Sequence, residues 1–441
     1  MKRKIIMAIS FLMVLAGSQN ALMAQETKQL SLNEAIELSI GNSHQLKGNK
    51  AVIAEASASL KEAMDARLPD LGVSGSYMYL PVQPTLNSNL MKGGDSAAAG
   101  PSVKQAMYGM VSASVPLYTG GRIKYGIESA KYLEQAVTLD ADANREDVVF
   151  NTIDAYANLY KAHEALRLVK EDLADAQQRV KDFTNLEKNG LLARNDLLMA
   201  ELLVSRVELS ALDAENSVKL ANTNMAIMLG LPRQTQLVPD SASLEQKISL
   251  KPLEEYEQLA YQNRKDLEAL GYRKKAAQSG IKTAQAEYYP SISLSGGYAA
   301  VEVPNLLSAY NVVNVGVGVK YSLSSLWKTD AKVQKAKAME QQLSESQAMM
   351  RDNVQLEVNK VYQQYLLSKK KIEVYKVAID QANENYKITK NKHDNGLAIT
   401  TDLLDADKVR MESELNYVMA KADATVAYNR LLQTAGLLYN K

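Results

Sequence analysis

Asp402 and Asp405 are the residues of this chain best placed to act on charge. Three apart in Thr401-Asp402-Leu403-Leu404-Asp405, they lie on one face of a helix and hold two carboxylates together, an arrangement that gains from a bound cation. Asp196 occupies the same place as Asp402 in a similar segment, Asn195-Asp196-Leu197-Leu198-Met199. A carboxylate in the first turn suits the positive end of a helix, so a structural role accounts for both Asp196 and Asp402. Asp405 has Met199 as its counterpart, and helix capping does not require it. Other chemistry is scarce. The chain has no cysteine and only three histidines, His44, His163 and His393, far apart in sequence. That removes thiolate chemistry and leaves little for a metal centre or a general base. His163-Glu164 lacks the second histidine of HExxH, and GxxxxGK[ST] and GxGxxG are absent. No enzyme, cofactor or metal centre is expected. With 51 Lys plus Arg against 50 Asp plus Glu, nothing calls for a nucleic acid.

The elements that must position these carboxylates are long helices. The ten prolines leave 117–231 and 305–441 free of proline, and 127–189 and 327–395 hold no glycine either. About 65 residues at ~1.5 Å each make a helix of ~100 Å, which needs partners along its length. Heptads supply them. Apolar and small residues step by three and four from Thr152 to Val180, from Ala200 to Met228 and from Val358 to Tyr386, the spacing of a coiled-coil seam. Met225 and Met228 belong to that spacing and read as core, not as a soft-metal path. The turns at Asn189-Gly190-Leu191 and Asn395-Gly396-Leu397 reverse the chain, and His393 beside the second reads as solvated.

The chain is one unit written twice. Leu32, Asn42, Leu46 and Pro69 recur 221 residues later as Leu253, Asn263, Leu267 and Pro290. From about residue 111 the shift is 206, pairing Leu117 with Leu323, Gly190 with Gly396, Asp196 with Asp402 and Gly230 with Gly436. The extra 15 residues of the first copy fall in the loop-like stretch from Pro81 to Pro101.

Each copy also carries two segments of period two, such as Val313, Val315, Val317 and Val319 alternating with Asn314, Gly316, Gly318 and Lys320. About ten to twelve residues each, one face apolar and the other small and polar, they fit the ~9–11 residues of a tilted membrane strand. Four strands cannot close a barrel, so several chains must contribute. Residues 1–24 read as an export signal, with Lys2, Arg3 and Lys4 before an apolar run and Ala24 at the cleavage point. Its removal takes the formal charge from +1 to −2. The expected organisation is a signal peptide at 1–24, a first repeat at 25–231, a linker at 232–251 and a second repeat at 252–441. The first repeat holds strands near 70–80 and 107–118 and long helices near 122–189 and 192–229. The second holds strands near 291–301 and 312–323 and helices near 327–395 and 399–435.

Ser31-Leu32-Asn33-Glu34-Ala35, Val115-Pro116-Leu117-Tyr118-Thr119-Gly120-Gly121 and the duplicated Gly-Leu…Asp-Leu-Leu turn together resemble the TolC family of bacterial outer membrane efflux proteins. The resemblance covers the chain from Ser31 to Gly436. It implies a mainly α fold with a membrane β-barrel portion, two tandem repeats each giving a β-hairpin and a long coiled-coil hairpin. It further implies a homotrimer with a twelve-stranded barrel in outer membrane lipid and an α-helical tunnel in the periplasm. The implied function is passive export as the exit duct of a tripartite efflux or type I secretion system. The implied partners are a periplasmic adaptor, docked at the tips Gly190-Leu191 and Gly396-Leu397, and through it an inner-membrane pump or secretion ATPase. Asp402 and Asp405 match the family's entrance constriction, while Ala398 stands where the family prototype has an arginine and His393 where it has a tyrosine. The linker and the residues after Gly436 would form a belt around the tunnel. A periplasmic coiled-coil adaptor or structural envelope protein is the alternative, but it calls for one hairpin, not two.

Overall fold

The computed structural model describes residues 27–82, 103–241, 249–304 and 306–438. The export segment at 1–24, most of the loop between Pro81 and Pro101, and part of the 232–251 linker lie outside the described residues. In chain order the elements are β1 (Thr27–Leu30), α1 (Leu32–Asn42), α2 (His44–Asp65), β2 (Asp70–Tyr79) and β3 (Gln105–Tyr118). Then come α3 (Arg122–Lys188), α4 (Arg194–Leu229), β4 (Gln236–Pro239), α5 (Leu253–Asn263) and α6 (Lys265–Gln285). A short 3-10 turn leads to β5 (Ser291–Val303), β6 (Leu307–Lys320), α7 (Ser325–Asp394) and α8 (Thr400–Thr434). The chain is mainly helical, in two repeated halves. Among the described residues no helix is long and apolar enough to cross a membrane.

The long helices have the partners their heptads require. On α3, Thr152, Ala155, Leu159 and Ala176 are buried, as are Ala200, Val207, Ala211 and Met225 on α4 and Val358, Val361, Tyr365 and Ala382 on α7. Two compact units divide the structure. The first comprises residues up to 48, 142–264 and 352 onward, the second 49–141 and 265–351.

In the first unit the duplication appears as two matched cores. One gathers Ala35, Ala155, Met225 and Leu229 with Val149, Ile153 and Tyr156. The other gathers Tyr256, Val361, Leu431 and Ala435, which are the first four shifted by 221 or 206. Where the first core sets Thr152 against Ser39 through a 2.8 Å hydrogen bond, the second has Val358 and Ala260. Both helical hairpins end on the same device. Gly230 (φ 69°) and Gly436 (φ 67°) adopt a left-handed backbone. A Cβ there would come within 2.9 Å of Asn42 and Asn263 respectively, so only glycine fits. Strands β1 and β4 pair in parallel, Thr27 opposite Gln236. The buried Tyr156 hydroxyl pins them, donating to the Leu30 carbonyl at 2.8 Å and accepting from the Asp240 amide at 2.8 Å. That places part of the 232–251 stretch in a two-stranded sheet against the segment before α1.

The second unit carries a four-stranded antiparallel sheet of order β2-β3-β5-β6. The registers hold one face together: Val73 opposite Val111, Val111 opposite Tyr298, Tyr298 opposite Val313. This face is apolar and exposed, including Leu71, Val73, Val315, Val317 and Val319. The other is built from Gly72, Ser74, Ser112, Ser293, Ser295, Gly316 and Gly318. Among the described residues both edges, β2 and β6, are unpaired, and they run antiparallel to one another. Helices α2, α6 and the proximal parts of α3 and α7 complete the unit. Arg273 pairs with Asp140, and Ser57 donates to Glu134 at 2.6 Å.

Candidate gate and docking tips

Helices α3 and α7 end alike. The Gly190 and Leu191 amides donate to the carbonyls of Glu187 and Leu186, both at 2.9 Å. The Gly396 and Leu397 amides donate to those of His393 (2.9 Å) and Lys392 (2.7 Å). This pair of hydrogen bonds is the left-handed glycine cap, with φ of 71° and 73° at the glycines. Such caps commonly bury the following apolar residue against the helix's last turn. Here Leu191 and Leu397 remain 74% and 78% exposed, so the glycines cap while the leucines stay largely uncovered among the described residues. Neither return helix has a side-chain N-cap, since Ala193 and Ile399 stand at those positions. Asp196 and Asp402 lie in the first turns and supply the negative charge that the N-termini favour.

The four helix ends meet in one small core of Phe183, Leu197, Ala200 and Leu403, with Tyr386 beside it. His393 belongs to this packing, which corrects the solvated reading: its ring stacks on Phe183 at 5.5 Å and its Nε2 lies 3.3 Å from the Thr400 hydroxyl. The ring turns inward because α7 is still helical at 393 and that face meets α3. A cleft of about 970 Å³ opens beside the core, lined among others by Leu191, Asp196, His393, Gly396 and Ala398. Asp402 and Asp405 are exposed. Asp405 and its counterpart Met199 line a second cleft, of about 390 Å³, with Asp172, Arg206, Asp407 and Lys408. Among the sequence-predicted residues, the structure thus gathers Leu191, Asp196 and Gly396 around one cleft and sets Asp405 at another.

One charged group was not anticipated. Two turns in from the tips Arg179 of α3 pairs with Asp407 of α8, the side chains 9% and 4% exposed. Arg410 adds contacts to Asp407 at 2.9 and 3.1 Å, reaches Asp175 at 3.5 Å and lies over the Tyr386 ring at 4.9 Å. The result is a buried clasp joining the two hairpins. Asp172, half-buried next to it, is pushed up to about 6 by burial and by the Asp407 charge. The duplication held a faint signal: Arg179, Asp407 and Arg410 answer to Asn385, Glu201 and Val204, so the carboxylate recurs in the other copy while the two arginines do not.

An internally duplicated chain that joins an amphipathic antiparallel sheet to long, mutually packed helical hairpins defines a TolC-like channel protein. The model of the outer membrane efflux protein family matches residues 35–231 and 257–437, one stretch in each half. The chain belongs to that family, is an outer membrane protein and is not an enzyme. It is similar to the alkaline protease secretion protein AprF of Pseudomonas aeruginosa, 22% identical over 302 residues that cover 66% of this chain and 62% of AprF. The chain therefore spans under two thirds of that relative's length. The fold is that of the outer membrane protein VceC from Vibrio cholerae, with a TM-score of 0.75, 20% identity and coverage of 92% and 96% of the two chains. It is equally that of CusC, with a TM-score of 0.78, 20% identity and 95% coverage of both.

Proposed function

We propose that three copies of this chain form the exit duct of a tripartite efflux or type I secretion system, through which substrates pass passively to the exterior. The carrying observation is the sheet. Its two edges are unpaired and antiparallel, so β2 of one copy can pair with β6 of the next, and closure removes every edge. Three copies give the twelve strands that the family resemblance implies, and the exposed apolar face then meets lipid. The helices support the same ring. On α4, Leu202, Leu209, Leu212 and Leu220 are exposed, and so are Leu356, Leu367, Val374 and Val377 on α7. Among the described residues these side chains stay largely exposed, and a neighbouring copy supplies the cover.

In this reading the tips, Gly190-Leu191 and Gly396-Leu397, dock a periplasmic adaptor that links the duct to an inner-membrane pump or secretion ATPase. Asp402 and Asp405, repeated three times, ring the periplasmic mouth. The segments around β1 and β4 and after Gly436 form a belt. The relation to AprF, named for protease secretion, favours a secretion duct over an adaptor. The purified protein in detergent should have the mass of three protomers and conduct in planar bilayers with cation preference. Asp402→Ala/Asp405→Ala should lose that preference and the block by a trivalent cation. A monodisperse monomer with full β-content would refute the ring, and unchanged selectivity would reduce the aspartates to helix-start residues.

A further inference from the structure

The small polar face of the sheet changes character along its length. The registers set one side chain from each strand in a row across it. Nearest the helices one row holds Asp70, Ser114, Ser295 and Gly316, and the next Gly72, Ser112, Gly297 and Asn314. Toward the hairpin turns come Ser74, Met110, Ala299 and Val312, then Ser76, Tyr108, Val301 and Ala309. The face ends with Met78 opposite Ala106 and Val303 opposite Leu307. Met78, Tyr108, Met110 and Val312 are all exposed.

The other face inverts at the same rows. Among Tyr77, Met107 and Tyr79 it takes in Gln105, Glu302 and Ser308. A bulge produces the inversion on β6. Asn311, the one residue other than glycine with a positive φ among the described residues (59°), lies where the register shifts from Ala299 opposite Val312 to Val301 opposite Ala309. Without the extra residue Tyr310 and Ser308 would fall on the small polar face. With it Ala309 and Leu307 stand there instead, and Ser308 goes to the other side. A left-handed backbone is uncommon outside glycine, and here it yields an apolar inner surface.

Water-filled barrels carry polar interiors, and the glycine and serine rows conform. Those rows also leave the lumen wide, whereas tyrosine, methionine and valine reach inward from the strand. In a closed barrel this face is narrowest and least polar at the same rows. We infer that Tyr108, Met110, Val301 and Val312, repeated in three copies, form an apolar collar in the lumen next to the hairpin turns, which slows hydrated ions relative to uncharged solutes of the same size. This rests on the reading of the sheet as the wall of a barrel. Hydrocarbon side chains offer nothing in place of the water that an ion loses at a narrowing, so the barrier falls on charge and not on bulk. The collar is distinct from Asp402 and Asp405, which discriminate by the sign of charge.

The chain has no cysteine, so one introduced thiol reports one row of the lumen. Ser295→Cys lies on the helix side of the collar. In planar bilayers 2-(trimethylammonio)ethyl methanethiosulfonate, or its uncharged isostere carrying a tert-butyl group, is added on the hairpin side, and the fall in conductance times its arrival. After correction for their rates with a free thiol, the isostere should react roughly tenfold faster than the cation. The volume-conserving variant Met110→Gln/Val301→Thr/Val312→Thr keeps the width and makes the wall polar, and it should bring the two rates within about twofold. Equal rates in the parent, a comparison that needs no collar variant to fold, would overturn the collar and leave the barrel standing. A difference that the polar variant leaves intact would overturn it as well. If Val315→Cys on the apolar face responds and Ser295→Cys does not, the wrong face has been assigned to the lumen, and the barrel reading fails together with the collar.

Discussion

Removing Asp407 should damage the tip far more than removing Arg179, although the two are partners in one ion pair. Arg179 is nearly enclosed, its Nη1 already lacks a partner, and Asp407 is the carboxylate it pairs with. Asp407→Leu therefore leaves a buried guanidinium uncompensated, at a cost of about 3–5 kcal/mol. Relief of the repulsion that Asp172 feels from Asp407 moves this toward the lower figure. Arg179→Met leaves Asp407 with both contacts from Arg410, so the loss is nearer that of an ordinary charged hydrogen bond, about 1–3 kcal/mol. Amide hydrogen exchange across α3 and α8 around these residues reads the local opening directly. A 3 kcal/mol loss corresponds to exchange roughly a hundredfold faster, and a 1 kcal/mol loss to about fivefold. The double variant Arg179→Met/Asp407→Leu should sit near the parent, since apolar replacement of a buried pair is often neutral. Equal effects of the two single variants, or a double variant as labile as Asp407→Leu, would show that the clasp does not stabilise the junction of the hairpins.

Asp172 should make the same junction sensitive to pH. Its folded-state pKa is raised from 3.8 to about 6, so its stabilising contribution is complete below the unfolded value and is lost as pH rises through about 6. The ceiling is about 3 kcal/mol, and half-exposure reduces it to about 1 kcal/mol; Asp172→Asn should flatten the melting temperature between pH 4 and 7, and an unchanged slope would refute the assignment. Gly230→Ala and Gly436→Ala should each cost about 1–3 kcal/mol, because the new methyl meets Asn42 or Asn263 in a left-handed backbone. Gly190→Ala, with nothing within 4 Å, should cost only the backbone strain of about 1 kcal/mol, which thermal unfolding of the three variants would rank. Leu191→Glu/Leu397→Glu should abolish export and adaptor copurification while trimers persist in the membrane; full export would return these leucines to a local role.

Much of the architecture was legible because it repeats. Proline- and glycine-free stretches announce long helices, heptads announce which face each buries, and alternation announces the strands. The two shifts that align the sequence halves also align the two cores residue by residue, from Ala35 and Tyr256 to Leu229 and Ala435. What escaped were elements without a period. The β1·β4 pair is four residues long and joins segments about 200 apart, held by the hydroxyl of Tyr156 on a third element. The clasp escaped because Arg179 and Asp407 are 228 residues apart and the other copy has Asn385 and Val204 in place of the two arginines. His393 escaped because a polar residue next to a turn looks solvated until Phe183 is brought beneath it.

Where the copies agree they build the fold, and where they differ they mark what the monomer leaves unfinished. Helix α8 carries Asp405, Asp407 and Arg410 where α4 has Met199, Glu201 and Val204. Exposed Leu209, Leu212 and Leu220 of α4 answer to Leu415, Val418 and Val426 of α8, which are half-buried. Ion pairs explain the inequality: Lys170–Glu215 ties α3 to α4, Lys161–Asp423 ties α3 to α8, and Arg430–Glu357 ties α8 to α7. Helix α8 is thus flanked on both sides, while α4 and α7 each keep a bare apolar stripe. A sequence duplicated so evenly has no local reason to leave one return helix covered and the other open. The proposed ring would remove the discrepancy by setting a neighbouring copy against the bare stripe of α4. Charged substitutions at Leu209 and Leu212 should accordingly dissociate the ring, and the same change at the counterpart positions Leu415 and Val418 should unfold the chain.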